Sequence, residues 1–166
     1  GYGGIWKSLD DGESWNRLNT DIQIPFFFFF VLVIDPINSQ RMYVTTGTPN
    51  GAPDVSFYTL ARDFPLYTLG IYATDNGGDN WVQINNGMNA SLLNAGGSIY
   101  NLQLDPLNNN SLIFTSTDGV YISSNPAGAL IGLGNISWTK DASFSFTDDK
   151  IVGLTYNITQ SEWFIS

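Results

Sequence analysis

The sequence predicts an all-β protein built from repeated four-stranded antiparallel units. Three observations predict it. A Gly-to-Trp hairpin motif recurs 66 residues apart, an apolar segment ending in Asp-Pro recurs 70 residues apart, and the composition mixes strand formers with turn formers. Aromatic residues make up 14% of the 166 residues, beside 17 Gly and 7 Pro, the balance of short strands punctuated by tight turns.

The hairpin motif comes first. Gly4-Ile5-Trp6-Lys7-Ser8-Leu9-Asp10-Asp11-Gly12-Glu13-Ser14-Trp15 runs on into Asn16-Arg17-Leu18-Asn19. Gly70-Ile71-Tyr72-Ala73-Thr74-Asp75-Asn76-Gly77-Gly78-Asp79-Asn80-Trp81 runs on into Val82-Gln83-Ile84-Asn85. A degenerate third copy starts at Gly119-Val120-Tyr121 and reaches Ser137-Trp138 after an insertion, with Ala127 in place of the turn glycine.

The Asp-Pro segment precedes each later hairpin. Val31 to Pro36 leads to Met42 to Thr46, and Asn101 to Pro106 leads to Leu112 to Ser116 with the same spacing. A weaker copy spans Ile151 to Tyr156 and Trp163 to Ile165, with Asn157 where the Asp stands elsewhere. Each unit therefore reads as strand, Asp-Pro turn, strand, link, strand, hairpin, strand. Four antiparallel strands in roughly 40–50 residues is the pattern of a β-propeller blade.

The expected organisation is a half-blade over 1–19, a blade over 24–86 with an insertion at 47–68, a blade over 97–140 and a half-blade over 150–166. The first residue is Gly1 rather than Met, so the chain is expected to be processed or to be part of something longer. The half-blades either belong to a longer propeller or complete one another between chains as a ring or filament, since unpaired strand edges favour pairing. The run Phe26 to Ile34 reads as an innermost strand buried on both faces, being too short to span a membrane as a helix.

The hairpin motif is read as structural. Gly12 and Gly78 supply the positive φ of a tight turn. Asp10 and Asn76 accept backbone N–H groups inside it, and Ser8 and Thr74 add a second local bond. Trp15 and Trp81 are expected to cover the hairpin. Burying such a ring stabilises by about 4–6 kcal/mol as an upper bound. Trp6 and Tyr72 hold equivalent positions and are expected in core or inter-blade packing.

Composition excludes several chemistries. Net charge is −9, with six scattered basic residues, so neither nucleic acid nor an anionic membrane surface is an expected partner. Cys and His are absent, which removes disulfides, thiolate or imidazole zinc sites and His-dependent nucleophile systems. Asp75 to Asp79 superficially resembles a calcium loop but lacks the bidentate Glu at the required spacing, and reads as a turn. No metal, cofactor or catalytic set is expected.

The paired motifs resemble the Asp-box, or bacterial-neuraminidase, repeat, closest to the xyloglucanase and sortilin-like branch of such propellers. The resemblance covers nearly the whole chain. It implies the propeller fold and places the boxes on the blade periphery, away from the sites such proteins use. A glycosidase needs two opposed carboxylates. Asp10 and Asp11 belong to a hairpin motif and Asp35 and Asp105 to the repeated turn, and repetition across units argues for structure because an active site occurs once. The unrepeated Asp54, Asp63, Asp148 and Asp149 form no evident pair. A sialidase would need an arginine cluster, and the chain has only Arg17, Arg41 and Arg62.

The expected function is an extracellular or cell-surface binding or scaffold module, without catalysis, that self-associates through its half-blades. A fragment of a xyloglucanase-type glycoside hydrolase and a sortilin-like protein-binding propeller are the alternatives. A glycan or a protein is the expected ligand, with Tyr58, Phe64 and Tyr67 of the insertion as candidate contacts. Asn89, Asn109, Asn135 and Asn157 each begin an N-glycosylation sequon.

Overall fold

The computed structural model describes residues 4–24, 29–47, 68–94, 97–106, 111–123, 136–144, 153–157 and 159–166. The described strands run in chain order β1 (Trp6–Lys7), β2 (Asn16–Arg17), β3 (Phe29–Ile34), β4 (Met42–Thr46), β5 (Ile71–Thr74), β6 (Val82–Gln83), β7 (Ile99–Leu104), β8 (Leu112–Ser116), β9 (Gly119–Ser123), β10 (Trp138–Lys140), β11 (Leu154–Asn157) and β12 (Glu162–Ile165). Two short helices, α1 (Thr20–Gln23) and α2 (Ala90–Asn94), carry the chain into β3 and β7.

Each group of four strands forms a simple meander. One antiparallel sheet has the order β3-β4-β5-β6, and a second has the order β7-β8-β9-β10. Hairpins β1-β2 and β11-β12 form two-stranded sheets at the two ends. This is the all-β, propeller-like fold that the repeats predict, with two whole blades between an outer half-blade and an inner half-blade.

Packing between blades follows the strand alternation. Successive residues of a strand face opposite sides of the sheet, and each side meets a different neighbour. From β4 and β5, Met42, Val44 and Tyr72 join Ile5 of the first hairpin, Ile24 after α1, and Trp81 in one buried cluster. Tyr43, Ile71 and Ala73 point the other way, into a cluster with Leu102, Leu112, Phe114, Tyr121 and Trp138 of the second blade. The second blade repeats this. Its Ile113 and Val120 face Leu154, with Trp163 and Ile165 packed against them. Phe114 stacks on Tyr121 at 4.8 Å and meets Trp138 edge-on at 4.8 Å, so three rings anchor one junction.

The first Asp-Pro turn is closed by its carboxylate. Asp35 is buried, accepts the backbone N–H groups of Ile37 and Asn38 at 2.8 and 3.3 Å, and pairs with Arg41 at 3.0 Å. Asn157 does the same work with its amide oxygen, which accepts from Thr159 and Gln160 at 3.0 and 3.3 Å. An uncharged amide suffices because the acceptor oxygen, rather than the charge, closes an Asx turn.

The expectation that the Phe26 to Ile34 strand is buried on both faces is not met over its described part. Val31 and Val33 pack against the inter-blade core, whereas Leu32 and Ile34 are 43% and 51% exposed. The equivalent Leu102 is 1% exposed because β3 and β4 stand before it. Among the described residues, the outer pair β1-β2 is what stands ahead of Leu32, so the described part of the strand has one covered face and one open face.

Candidate functional site

The two hairpins carry nearly the same hydrogen-bond set. In the first, the Ser8 hydroxyl donates to Asp10 Oδ1 at 2.8 Å and accepts from the Gly12 N–H at 2.8 Å. Asp10 Oδ1 also accepts from the Ser14 N–H at 2.9 Å, and Oδ2 accepts from the Ser14 hydroxyl at 2.5 Å. In the second, Thr74 donates to Asn76 Oδ1 at 2.9 Å and accepts from Gly78 at 3.1 Å, while Asn76 Oδ1 accepts from Asn80 at 3.0 Å. Gly12 and Gly78 have φ of +94° and +99°, the left-handed region that the turn requires.

These bonds tune one carboxyl. Hydrogen bonds from the Ser14 side chain, the Ser14 backbone and the Ser8 hydroxyl hold Asp10 at about 2, below its ordinary 3.8. A carboxyl so held stays ionised at neutral pH and closes a turn; it is no proton donor.

The two tryptophans of the motif diverge. Trp81 is buried, its indole N–H donates to the Gly78 carbonyl at 3.1 Å, and its backbone N–H donates to Gln23 Oε1 at 2.7 Å. Gln23 also donates to the Asp79 carbonyl at 2.7 Å, so α1 clamps the second hairpin. Trp15, expected to be buried over its own hairpin, is exposed instead. Trp6, expected in core or inter-blade packing, is 50% exposed while its equivalent Tyr72 is buried. The reason is the same for both rings. They face the side from which, in later blades, the preceding blade supplies cover.

Trp6, Trp15, Leu18, Leu32, Ile34 and Met42 line one notch of about 310 Å³ between the first hairpin and β3. A second open groove of about 710 Å³ lies between β3 and β7, beside the two Asp-Pro turns. Together they leave Leu32 and Ile34 open on the inner side of the first blade junction.

A polar cluster that sequence reasoning missed sits at the β8–β9 turn. Asp118 accepts from Lys140 Nζ at 3.0 Å, from Asn89 Nδ2 at 2.7 Å and from the Tyr121 hydroxyl. Burial alone would raise its pKa, but hydrogen bonds from Tyr121, Lys140 and Asn89 and the Lys140 charge outweigh it and hold the carboxyl below 3.8. Burial, and then the bond to Asp118, pushes the Tyr121 phenol up. The available signal was that Asp118 has no counterpart in the other units; its partners, 29 and 22 residues away for Asn89 and Lys140, are invisible to spacing.

Of the sequon residues, Asn89 is exposed and Asn157 closes the β11–β12 turn. Asn109 and Asn135 lie outside the described residues, as do Tyr58, Phe64 and Tyr67 and the unrepeated Asp54, Asp63, Asp148 and Asp149. Among the described residues no group of three His, Cys, Asp or Glu could hold a metal ion, and no helix is long and apolar enough to cross a membrane.

No protein-family model matches the chain, and no curated protein matches it. Among solved structures it is similar to a crystal structure of an ancestral GH74 enzyme, at 20% identity and a TM-score of 0.42. The match covers 89% of this chain and 22% of that one, so the chain spans about a fifth of the length of the protein it resembles.

Proposed function

We propose that this chain is a non-catalytic binding and assembly module of an extracellular or cell-surface protein, and that it works by completing propeller blades with other chains. One observation carries the reading. The apolar residues exposed at the first junction, Trp6, Trp15 and Leu32, are those whose repeat equivalents Tyr72, Trp81 and Leu102 are buried by a neighbouring blade. Their exposure supports a blade-to-blade contact at this junction. Exposed apolar patches of this kind mark association surfaces, and a short two-stranded sheet gains most from added strands.

The Asp10 and Asn76 turns serve this reading as structural Asp boxes that hold the hairpins in shape. The exposed sequon residue Asn89 suits a surface protein. A glycan or a protein ligand would be met outside the junction.

Sedimentation of the chain over a concentration series tests the proposal. The expected result is a species larger than 18.3 kDa that Trp15→Ser or Leu32→Ser converts to a folded monomer. A well-folded monomer at every concentration overturns the assembly reading, and hydrolysis of a β-glucan by the purified chain overturns the non-catalytic one.

A further inference from the structure

We propose that residues 47–67 are spliced into a single peptide bond of an otherwise complete turn, and that the first blade folds and packs without them.

The second blade shows the turn unspliced. Between β8 and β9 the chain reads Ser116-Thr117-Asp118-Gly119. The Ser116 hydroxyl donates to the Gly119 carbonyl at 2.9 Å and accepts from the Asp118 N–H at 3.2 Å. Gly119 opens β9 with a φ of +119°, a conformation that side chains oppose. The Thr117 N–H donates to the Ser98 carbonyl at 3.0 Å, just ahead of β7.

The first blade repeats these bonds, with Thr46 at the place of Ser116 and Thr68-Leu69-Gly70 at the place of Thr117-Asp118-Gly119. The Thr46 hydroxyl donates to the Gly70 carbonyl at 2.9 Å and accepts from the Leu69 N–H at 2.9 Å. Gly70 has a φ of +96°. The Thr68 N–H donates to the Gly97 carbonyl at 2.9 Å, again just ahead of β7. The strand registers agree as well, since Thr45 stands opposite Ile71 as Thr115 stands opposite Val120. Thr46, Thr68, Leu69 and Gly70 therefore supply the bonds that close this turn.

The points where the chain leaves the turn and returns to it are in contact. Thr46 Oγ1 lies 3.4 Å from Thr68 Oγ1, and both residues are buried. A side chain at Gly47, whose φ is +103°, would put its Cβ 3.0 Å from Thr68 Cα. The cost of such a splice to the blade is loop-closure entropy, which grows only slowly with length. A segment held at a closed neck can change in length and sequence without repacking β4 or β5. That arrangement separates what the module contacts from what holds it together.

A chain lacking residues 47–67, with Thr46 joined directly to Thr68, tests the proposal. Its Tm is expected to equal that of the full chain or to exceed it by a few degrees, because the closure cost is gone. A second shortened chain keeps Gly47 between Thr46 and Thr68, which relieves any strain at the direct joint. The converse chain carries an additional copy of residues 47–67 between Ser116 and Thr117, and is expected to fold with a Tm a few degrees lower. Thr46→Val removes the hydroxyl at the neck and should lower Tm by the same amount in the full and the shortened chain, because the same bonds close both.

Recovery of the full-chain Tm in either shortened chain supports the splice, and failure of both to fold overturns it. A Thr46→Val cost that appears in the full chain and vanishes in the shortened one overturns it too, since the neck would then depend on the segment. Unfolding of the converse chain, with a shortened chain folded, overturns the equivalence of the two turns.

Discussion

Trp15 and Trp81 end the same hairpin motif, sixty-six residues apart, and Trp15 is 58% exposed where Trp81 is 6% exposed. The turns that precede them carry matching hydrogen bonds, so local structure does not explain the difference. Neighbours do. Trp81 lies in a cluster with Ile5, Ile24, Met42, Val44 and Tyr72, most of it supplied by the preceding hairpin, its link and β4. Trp15 has no such preceding unit in the described structure.

The pair predicts unequal stability costs. Trp81→Ala removes a buried ring and should cost about 3–5 kcal/mol. Trp15→Ala should cost less than about 1 kcal/mol in the monomer. Urea unfolding of the two variants with a common m-value checks this. Equal costs would mean that Trp15 is covered in solution by something that the isolated chain already supplies.

Asp10 predicts an acid-labile hairpin. Its carboxyl titrates at about 2 in the folded chain and at 3.8 ordinarily, so the folded state favours the ionised form. Stability from this group is fully present above about pH 4 and is lost as pH falls through 2. Asn76 fills the same place without a titrating group. Asp10→Asn should therefore flatten the dependence of Tm on pH between about 4 and 2, while leaving the turn formed. A Tm–pH slope unchanged by this substitution would show that the Ser8 and Ser14 bonds are not made in solution.

The Asp118 cluster predicts a cost that is shared among its members. Asp118→Ala leaves the Tyr121 hydroxyl without its acceptor and should destabilise by about 1–3 kcal/mol. Tyr121→Phe removes the donor that needs satisfying, and the double variant should cost less than the sum of the two single ones. Because the Asp118 carboxyl is held below its ordinary pKa, its contribution also fades on acidification, in the same direction as that of Asp10. A double-mutant cycle by thermal unfolding measures the coupling.

Repeat spacing made the blades legible because a propeller uses one local solution several times. The Gly-to-Trp pattern located β1-β2 and β5-β6, and the Asp-Pro pattern located β3-β4 and β7-β8. Helices α1 and α2 were not legible, since four or five residues show no helical period. The exposure of Trp6, Trp15, Leu32 and Ile34 was not legible either. A repeat reveals what a residue is built to face, and only the assembled arc reveals whether the facing unit is there. Asp118 escaped for the opposite reason, as a singular residue whose partners converge from α2's approach, β9 and β10.

The open face of β3 predicts the chain's solubility. Leu32 and Ile34 lie side by side on an inner strand rich in apolar and β-branched residues, the composition that pairs with other chains when uncovered. Leu102→Ala, at the covered equivalent, should cost about 2–5 kcal/mol because its pocket cannot collapse. Leu32→Lys together with Ile34→Lys removes no buried contact of comparable size, so Tm should change little. The charged pair should instead suppress concentration-dependent association, read by light scattering at equal protein concentration. A large fall in Tm for the lysine variant would show that this face is already buried in the isolated chain. Unchanged scattering at unchanged Tm would show that association runs through another surface.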